Sequence, residues 1–597
     1  MKDFIKSVCA TVIGVFLSFG LVMAFFFFSI ISTLATSSSE PKIKDNSVLV
    51  LNLQGTIAEQ SSEDVFAAFT GDDMSTLGLN DILEAIDKAK ANDKIKGMYI
   101  NCGVFTADHA TLQEIRGKLL EFKAAKKWIV AYSDMYMQGA YYLASVADKV
   151  YINPQGRLDW HGVGSQPMFY KDFLEKIGVK FAIVKVGTYK SATEIFTEDR
   201  MSEANREQVS VYINGLWENI VNGVSKSRNI SKELLNQYAD GIVMMEDAAA
   251  LKQKKLVDEL LYADQVKKEL KKRLGLKEDD SINQVSISTM KSVTADDGIH
   301  SDEGEQIAVY YCAGDIVQSE TTSLSSSGSS IVGNTVCKDI EKLMKDEKVK
   351  AVVIRINSGG GDAYASEQMW HYISELKKVK PVVVSMGGMA ASGGYYMACN
   401  SSWIVAEPTT ITGSIGIFGM FPDMSNLITQ KLGIKFDEVK TNKNSTFSPL
   451  GTARPLNAEE LAFMQTYIDK GYALFCKRVA DGRKMPVAEV EKIAQGRIWL
   501  GQDAIKLKLV DQLGTLDDAV EKAAKLAKLE KYHINDYPAK KDFAAQLMEE
   551  LGGGTADELD AQLRNVLGAY YEPFALVRTL NEQSPVQARI PYVLNIK

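Results

Sequence analysis

A repeat of about 254 residues constrains this chain more than any other feature. Gln138-Gly-Ala-Tyr-Tyr-Leu-Ala144 returns as Ser392-Gly-Gly-Tyr-Tyr-Met-Ala398, Pro154 as Pro408, and Gly162 as Gly416. With one residue of slippage, Gly178-Val-Lys-Phe-Ala-Ile-Val-Lys185 returns as Gly433-Ile-Lys-Phe-Asp-Glu-Val-Lys440, and Leu256-Val-Asp258 returns as Leu509-Val-Asp511. Around these matches, strand-like runs (47–55, 95–100, 128–132) alternate with helix-period segments (79–91, 110–125). That alternation predicts α/β construction with parallel strands. The chain therefore divides into two related α/β domains, 47–265 and 306–535. A charged, Ser-rich linker, 266–305, joins them, and a tail, 536–597, follows. The tail, with its Gly552-Gly-Gly554 and an amphipathic piece at 556–569, reads as a packing or assembly arm rather than a catalytic element.

The 597 residues are too many for one core, which agrees with duplication. Several function classes are disfavoured by composition. A net charge of −8 gives no support for nucleic-acid binding. The six cysteines form no C-x-x-C pair and the five histidines no H-E-x-x-H, so neither a metal site nor a disulfide framework is expected, and no cofactor. The N-terminus is more specific. Residues 7–39 carry no charge, and Val8 to Leu34 is almost continuously apolar, longer than the roughly 20 residues that span a bilayer. This reads as an uncleaved anchor (7–34) between a short cytoplasmic N-terminus (1–6) and a polar tether (35–46). Lys2 and Lys6 precede the run and place the remainder on the extracytoplasmic side, although Lys42 and Lys44 after it pull the other way.

Each repeat serves as an internal control for the other. What the copies share is explained by scaffold, and what one copy holds alone points to function. The paired tyrosines are shared and read as core. Ser392 faces Gln138, the loop Asn357-Ser-Gly-Gly-Gly-Asp362 faces Gly103-Val-Phe-Thr-Ala-Asp108, and Ser414 faces Trp160 within Asp159-Trp-His-Gly162. Ser392 thus stands between a buried strand (381–384) and the first turns of a helix (395–399), in a Gly/Ala turn that something can approach closely. A serine nucleophile needs a base. No histidine follows Ser392 until His533, His371 reads as a helix-surface residue, and His161 reads as structural. A lysine serves if burial lowers its pKa. Spacing leaves that choice open, with Lys190, private to the first repeat, and Lys443 both in contention.

The chain resembles the long, duplicated form of signal peptide peptidase A, a Ser–Lys protease family of the ClpP/crotonase-like superfamily. The motifs that carry the resemblance are Val186-Gly-Thr-Tyr-Lys-Ser-Ala192, Arg355-Ile-Asn-Ser-Gly-Gly-Gly361, Gly388-Met-Ala-Ala-Ser-Gly-Gly394, Thr412-Gly-Ser-Ile-Gly416 and Gly496-Arg-Ile-Trp-Leu-Gly501. They span both repeats, while the last 60 or so residues carry little of the match. The resemblance implies two tandem ClpP/crotonase-like domains, Ser392 as nucleophile, Lys190 as general base and Ser414 as the residue that orients the lysine. It implies an oxyanion hole from the Gly393 N–H and the glycine loop, at Gly360 or Gly361. Gly359 stands where the family commonly has proline, which leaves that last choice open. Apolar, signal-peptide-like substrates, a place in the bacterial inner membrane with the catalytic domains facing the periplasm, and a bowl-shaped homotetramer are implied as well. An acyl-CoA enzyme of the same superfamily and a non-catalytic membrane scaffold are the alternatives.

Overall fold

β-branched runs flanked by amphipathic helices build the first repeat around a parallel sheet. The computed structural model describes residues 14, 18, 41–61, 76–294, 304–319, 330–449, 451–538 and 586–589. The elements are β1 (Ser47–Ala58), α1 (Leu79–Ala91), β2 (Ile95–Thr106), α2 (His109–Ala124), β3 (Trp128–Tyr136), α3 (Gln138–Ala144), β4 (Lys149–Leu158), β5 (Lys180–Lys185) and α4 (Glu203–Arg228). β1 to β4 lie side by side in chain order, all parallel, with short strands at each edge. Helix α1 turns Ile82, Leu83 and Ile86 inward, and α2 contributes Ile115, Leu119 and Phe122. Within the stretch read as a linker, Asn283–Val285 adds a parallel strand beside β1 and Met290 is buried.

The second repeat runs β6 (Glu305–Ala313), β7 (Val349–Ser358), β8 (Gly360–Asp362), α5 (Ala363–Val379), β9 (Val382–Ala391), α6 (Gly393–Ala398), β10 (Trp403–Ala406), β11 (Ile411–Gly413), β12 (Phe418–Asp423), α7 (Ala458–Arg483), β13 (Ile498–Leu500), α8 (Leu516–Ala527) and β14 (Tyr532–Tyr537). Its main sheet has the order β13-β11-β9-β7-β6-β14, parallel except at β11–β13. The shared residues do the same work in both copies. The Tyr141 hydroxyl donates to the Leu256 carbonyl at 2.8 Å, and the Tyr395 hydroxyl to the Leu509 carbonyl at 2.9 Å. Asp258 accepts from the Val150 N–H, and Asp511 from the Ile404 N–H.

A third sheet belongs to neither repeat alone. β5 of the first repeat pairs antiparallel with β12 of the second, Lys185 opposite Phe418 and Lys180 opposite Asp423. Beyond β12 comes β15 (Val586–Arg589), and beyond β15 comes β8. The counterpart of β5 in the second repeat, 434–440, forms no strand and is exposed, so the copies diverge where they join. A buried charge cluster also ties the repeats together. Arg355 on β7 reaches Glu59 at 2.8 Å and Glu114 at 2.6 Å, both from the first repeat. The apolar stretch 8–34 lies outside the described residues apart from 14 and 18. Among the described residues no helix is long and apolar enough to cross a membrane.

Candidate active site

Strand β9 ends at Ala391 and helix α6 starts at Gly393, which leaves Ser392 alone at the corner. Its φ of 54° and ψ of −112° are unfavourable for an L-residue, a strain of about 1–3 kcal/mol. Two hydrogen bonds hold it there. The Ser392 N–H donates to the Gly413 carbonyl and the Tyr396 N–H donates to the Ser392 carbonyl, each at 2.8 Å. A sharp strand-to-helix turn carries a side chain clear of both elements. In the first repeat the same corner holds Gln138, whose buried amide donates to the Gly162 carbonyl and accepts from the His161 and Gly162 N–H groups.

Lys190 reaches Ser392 from the other repeat. After β5, the chain runs along the 495–497 segment, with the Tyr189 N–H donating to the Gln495 carbonyl at 3.0 Å. Gly496 has a φ of +78°, and a Cβ there would lie 2.6 Å from Lys190 Cβ, so glycine is what permits the approach. Behind the lysine, Gln208 on α4 donates to the Tyr189 carbonyl at 3.1 Å and to Ser191 Oγ at 2.9 Å. Ser191 in turn donates to Asn205, and Asn205 donates to Glu194.

Lys190, Ser392 and Ser414 have no exposed surface. Lys190 Nζ lies 2.7 Å from Ser392 Oγ, 3.1 Å from Ser414 Oγ and 3.2 Å from the Ser414 carbonyl oxygen. Burial pushes its pKa well below the ordinary lysine value of 10.5, and among the described residues no carboxylate pairs with it to reverse that. Nζ donates to Ser392 Oγ, Ser414 Oγ and the Ser414 carbonyl oxygen, and the Ser414 hydroxyl donates onward to the Gly496 carbonyl at 3.3 Å. Deprotonation of the amine frees a lone pair that can accept from the Ser392 hydroxyl.

The Gly393 N–H opens α6, in the turn where N–H groups lack intrahelical acceptors. Gly360, at φ +98°, abuts it: a Cβ there would stand 2.7 Å from Gly393 N. A Cβ on Gly361 would instead strike the Ile316 backbone at 2.1 Å. Of the two loop glycines, Gly360 is therefore the one at the serine corner, and its own N–H donates to Ser358 Oγ at 3.1 Å. The other bases considered lie elsewhere. Lys443 is exposed and pairs with Glu459, His371 is exposed beside Tyr372, and His161 is exposed and paired with Asp159 at 2.5 Å.

Residues 121–277 and 374–530 each match the model of Peptidase family S49. Over 539 residues the chain is 36% identical to Protease 4 of Salmonella typhi, an alignment covering 87% of this chain and 85% of that protein. This chain belongs to peptidase family S49. As an S49 member it is a serine peptidase, which sets aside the acyl-CoA and scaffold alternatives. Protease 4 of Haemophilus influenzae is also 36% identical, over 86% of this chain and 83% of its own length. The chloroplastic serine protease SPPA of Arabidopsis thaliana is 32% identical over 82% of this chain and 70% of that protein. The first S49 segment contains Lys190 and the second contains Ser392 and Ser414, while Gly360, Gly361 and β15 lie outside both.

Sequence reasoning missed Asn205 and Gln208. Both are buried polar residues on the apolar face of α4, in line with Val209, Tyr212 and Leu216. Polar side chains three apart on a buried helical face are the signal that could have found them. The tail is the other omission, since its strand β15 lies directly against Gly360 and Gly361.

Proposed function

We propose that this S49 peptidase is a membrane-anchored endopeptidase that cleaves apolar, signal-peptide-like segments, with Ser392 as nucleophile and Lys190 as general base. The observation that carries the reading is the 2.7 Å contact between a fully buried lysine amine and a serine hydroxyl on a strained corner. Lys190 Nζ takes the Ser392 proton as Oγ attacks the scissile carbonyl, and the resulting ammonium returns a proton to the leaving amine. Water, deprotonated by the same amine, then releases the acyl group from Ser392. Ser414 fixes the lysine through its hydroxyl and carbonyl oxygens. The Gly393 N–H and the Gly360 edge of the loop face the developing oxyanion, each donor being worth roughly 2.7–4 kcal/mol. The Gly360 N–H must leave Ser358 to take part.

The substrate lies as an extended strand between β8 and β12, where main-chain pairing gives affinity and pockets for alternate side chains give specificity. Anchoring by 7–34 would hold this groove near peptides leaving the bilayer, on the extracytoplasmic side, and the tetramer implied by the resemblance would cluster several such sites. Ser392→Ala and Lys190→Ala should each abolish cleavage of a fluorogenic apolar peptide while the circular dichroism spectrum is unchanged. Parent-like turnover in Lys190→Ala would refute the dyad. Accessibility labelling that finds Lys597 on the cytoplasmic side would refute the topology.

A further inference from the structure

The groove beside Ser392 already holds an extended strand, and that strand is the chain's own β15. It pairs antiparallel on both sides, with Gly361 opposite Ala588 and Gly360 opposite Arg589 on β8, and with Phe418 opposite Gln587 and Gly419 opposite Val586 on β12. The Ala588 side chain has no exposed surface and packs into the core of the second repeat. Its carbonyl oxygen lies at the glycine corner, 2.1 Å from where a Cβ on Gly360 would stand and 3.1 Å from where one on Gly393 would. Arg589 pairs with Asp315 at 2.8 Å and fixes the register from the far side. None of this strand falls within the S49 match, which ends at 530.

We propose that Val586–Arg589 is the resident occupant of the substrate groove and that peptide substrates must displace it. This rests on the reading that the groove beside Ser392 binds substrate. Three features of the seat carry the proposal: pairing on two edges, a fully enclosed small side chain, and a carbonyl at the corner formed by Gly360 and Gly393. Together they are what a bound peptide requires. A strand tethered to the enzyme competes at an effective concentration set by its tether. The apparent affinity for substrate therefore falls by the fraction of chains with an empty groove.

The test compares the full-length parent with Ala588→Trp, whose side chain does not fit the enclosed site, and with Arg589→Glu, which reverses the charge facing Asp315. A fluorogenic apolar peptide is the substrate, and a synthetic Val-Gln-Ala-Arg peptide with blocked ends is the competitor. Expulsion of the strand should raise kcat/KM by about fivefold or more, mainly through a lower KM, if the groove is mostly filled in the parent. The synthetic peptide should then inhibit the variants competitively and more strongly than it inhibits the parent. Kinetics within twofold of the parent in both variants, with no inhibition by the peptide, would overturn the proposal while leaving Ser392-dependent cleavage intact. Absence of Ser392-dependent turnover in parent and variants alike would overturn the substrate-groove reading and this proposal together.

Discussion

Lys190 is held beside Ser392 with no carboxylate paired to it among the described residues, and its proposed chemistry follows from that isolation. Desolvation disfavours the ammonium form of Lys190 and holds its pKa well below 10.5. The unfolded chain protonates it at any pH below 10.5, so folded-state stability tied to this group is fully present above that value and is lost as pH falls toward the depressed one. Lys190→Met should therefore abolish activity, keep or raise the melting temperature at neutral pH, and flatten its rise toward alkaline pH. A scan of melting temperature against pH reads all of this except activity. Ser414 touches the lysine amine through its hydroxyl and carbonyl oxygens. Ser414→Ala removes one of the two acceptors of the amine and should lower kcat about 10- to 100-fold with KM nearly unchanged, as loss of base positioning does.

Each element near the site has one geometric duty. The β9–α6 corner strains Ser392, the pairing of β5 with β12 delivers the segment that bears Lys190, and the 495–497 segment backs that lysine. The last of these depends on Gly496. Gly496→Ala places a methyl against Lys190 Cβ at a positive φ, and should cost at least about 1 kcal/mol of stability and a larger share of kcat. Denaturant titration and steady-state kinetics on the same preparation separate the two effects. Much at this scale was legible in the sequence. The strand–turn–helix around Ser392 is a local pattern of β-branched residues, small residues and a helix start, and the repeat distinguished Ser392 from the plug at Gln138. The pairing of β5 with β12 was not legible, because antiparallel contact between distant segments leaves no periodicity in either one. For the same reason the residues alone left Lys190 and Lys443 level, and the resemblance chose between them.

At the scale of the whole molecule, the site exists only where the two repeats meet. Arg355 holds that junction with two glutamates of the first repeat, all three side chains buried. Arg355→Ala leaves Glu59 and Glu114 as uncompensated buried carboxylates and should destabilise the protein by about 3–5 kcal/mol, read by chemical denaturation. Neither the junction nor the seat of β15 could be read from composition, since Glu59, Glu114 and Ala588 are unremarkable until the fold buries them. The division of labour is the proposal's central claim: the first repeat supplies a buried lysine with a depressed pKa, the second supplies the serine, and neither suffices alone. The most direct measurement is the rate at which a serine-reactive acylating probe labels Ser392 in the full-length protein as a function of pH, in the parent and in Lys190→Ala. The account predicts that parent labelling rises with pH through a midpoint well below 10.5 and that Lys190→Ala labels at least about 100-fold more slowly with that rise gone. Equal labelling rates and the same pH profile in the two proteins would contradict it.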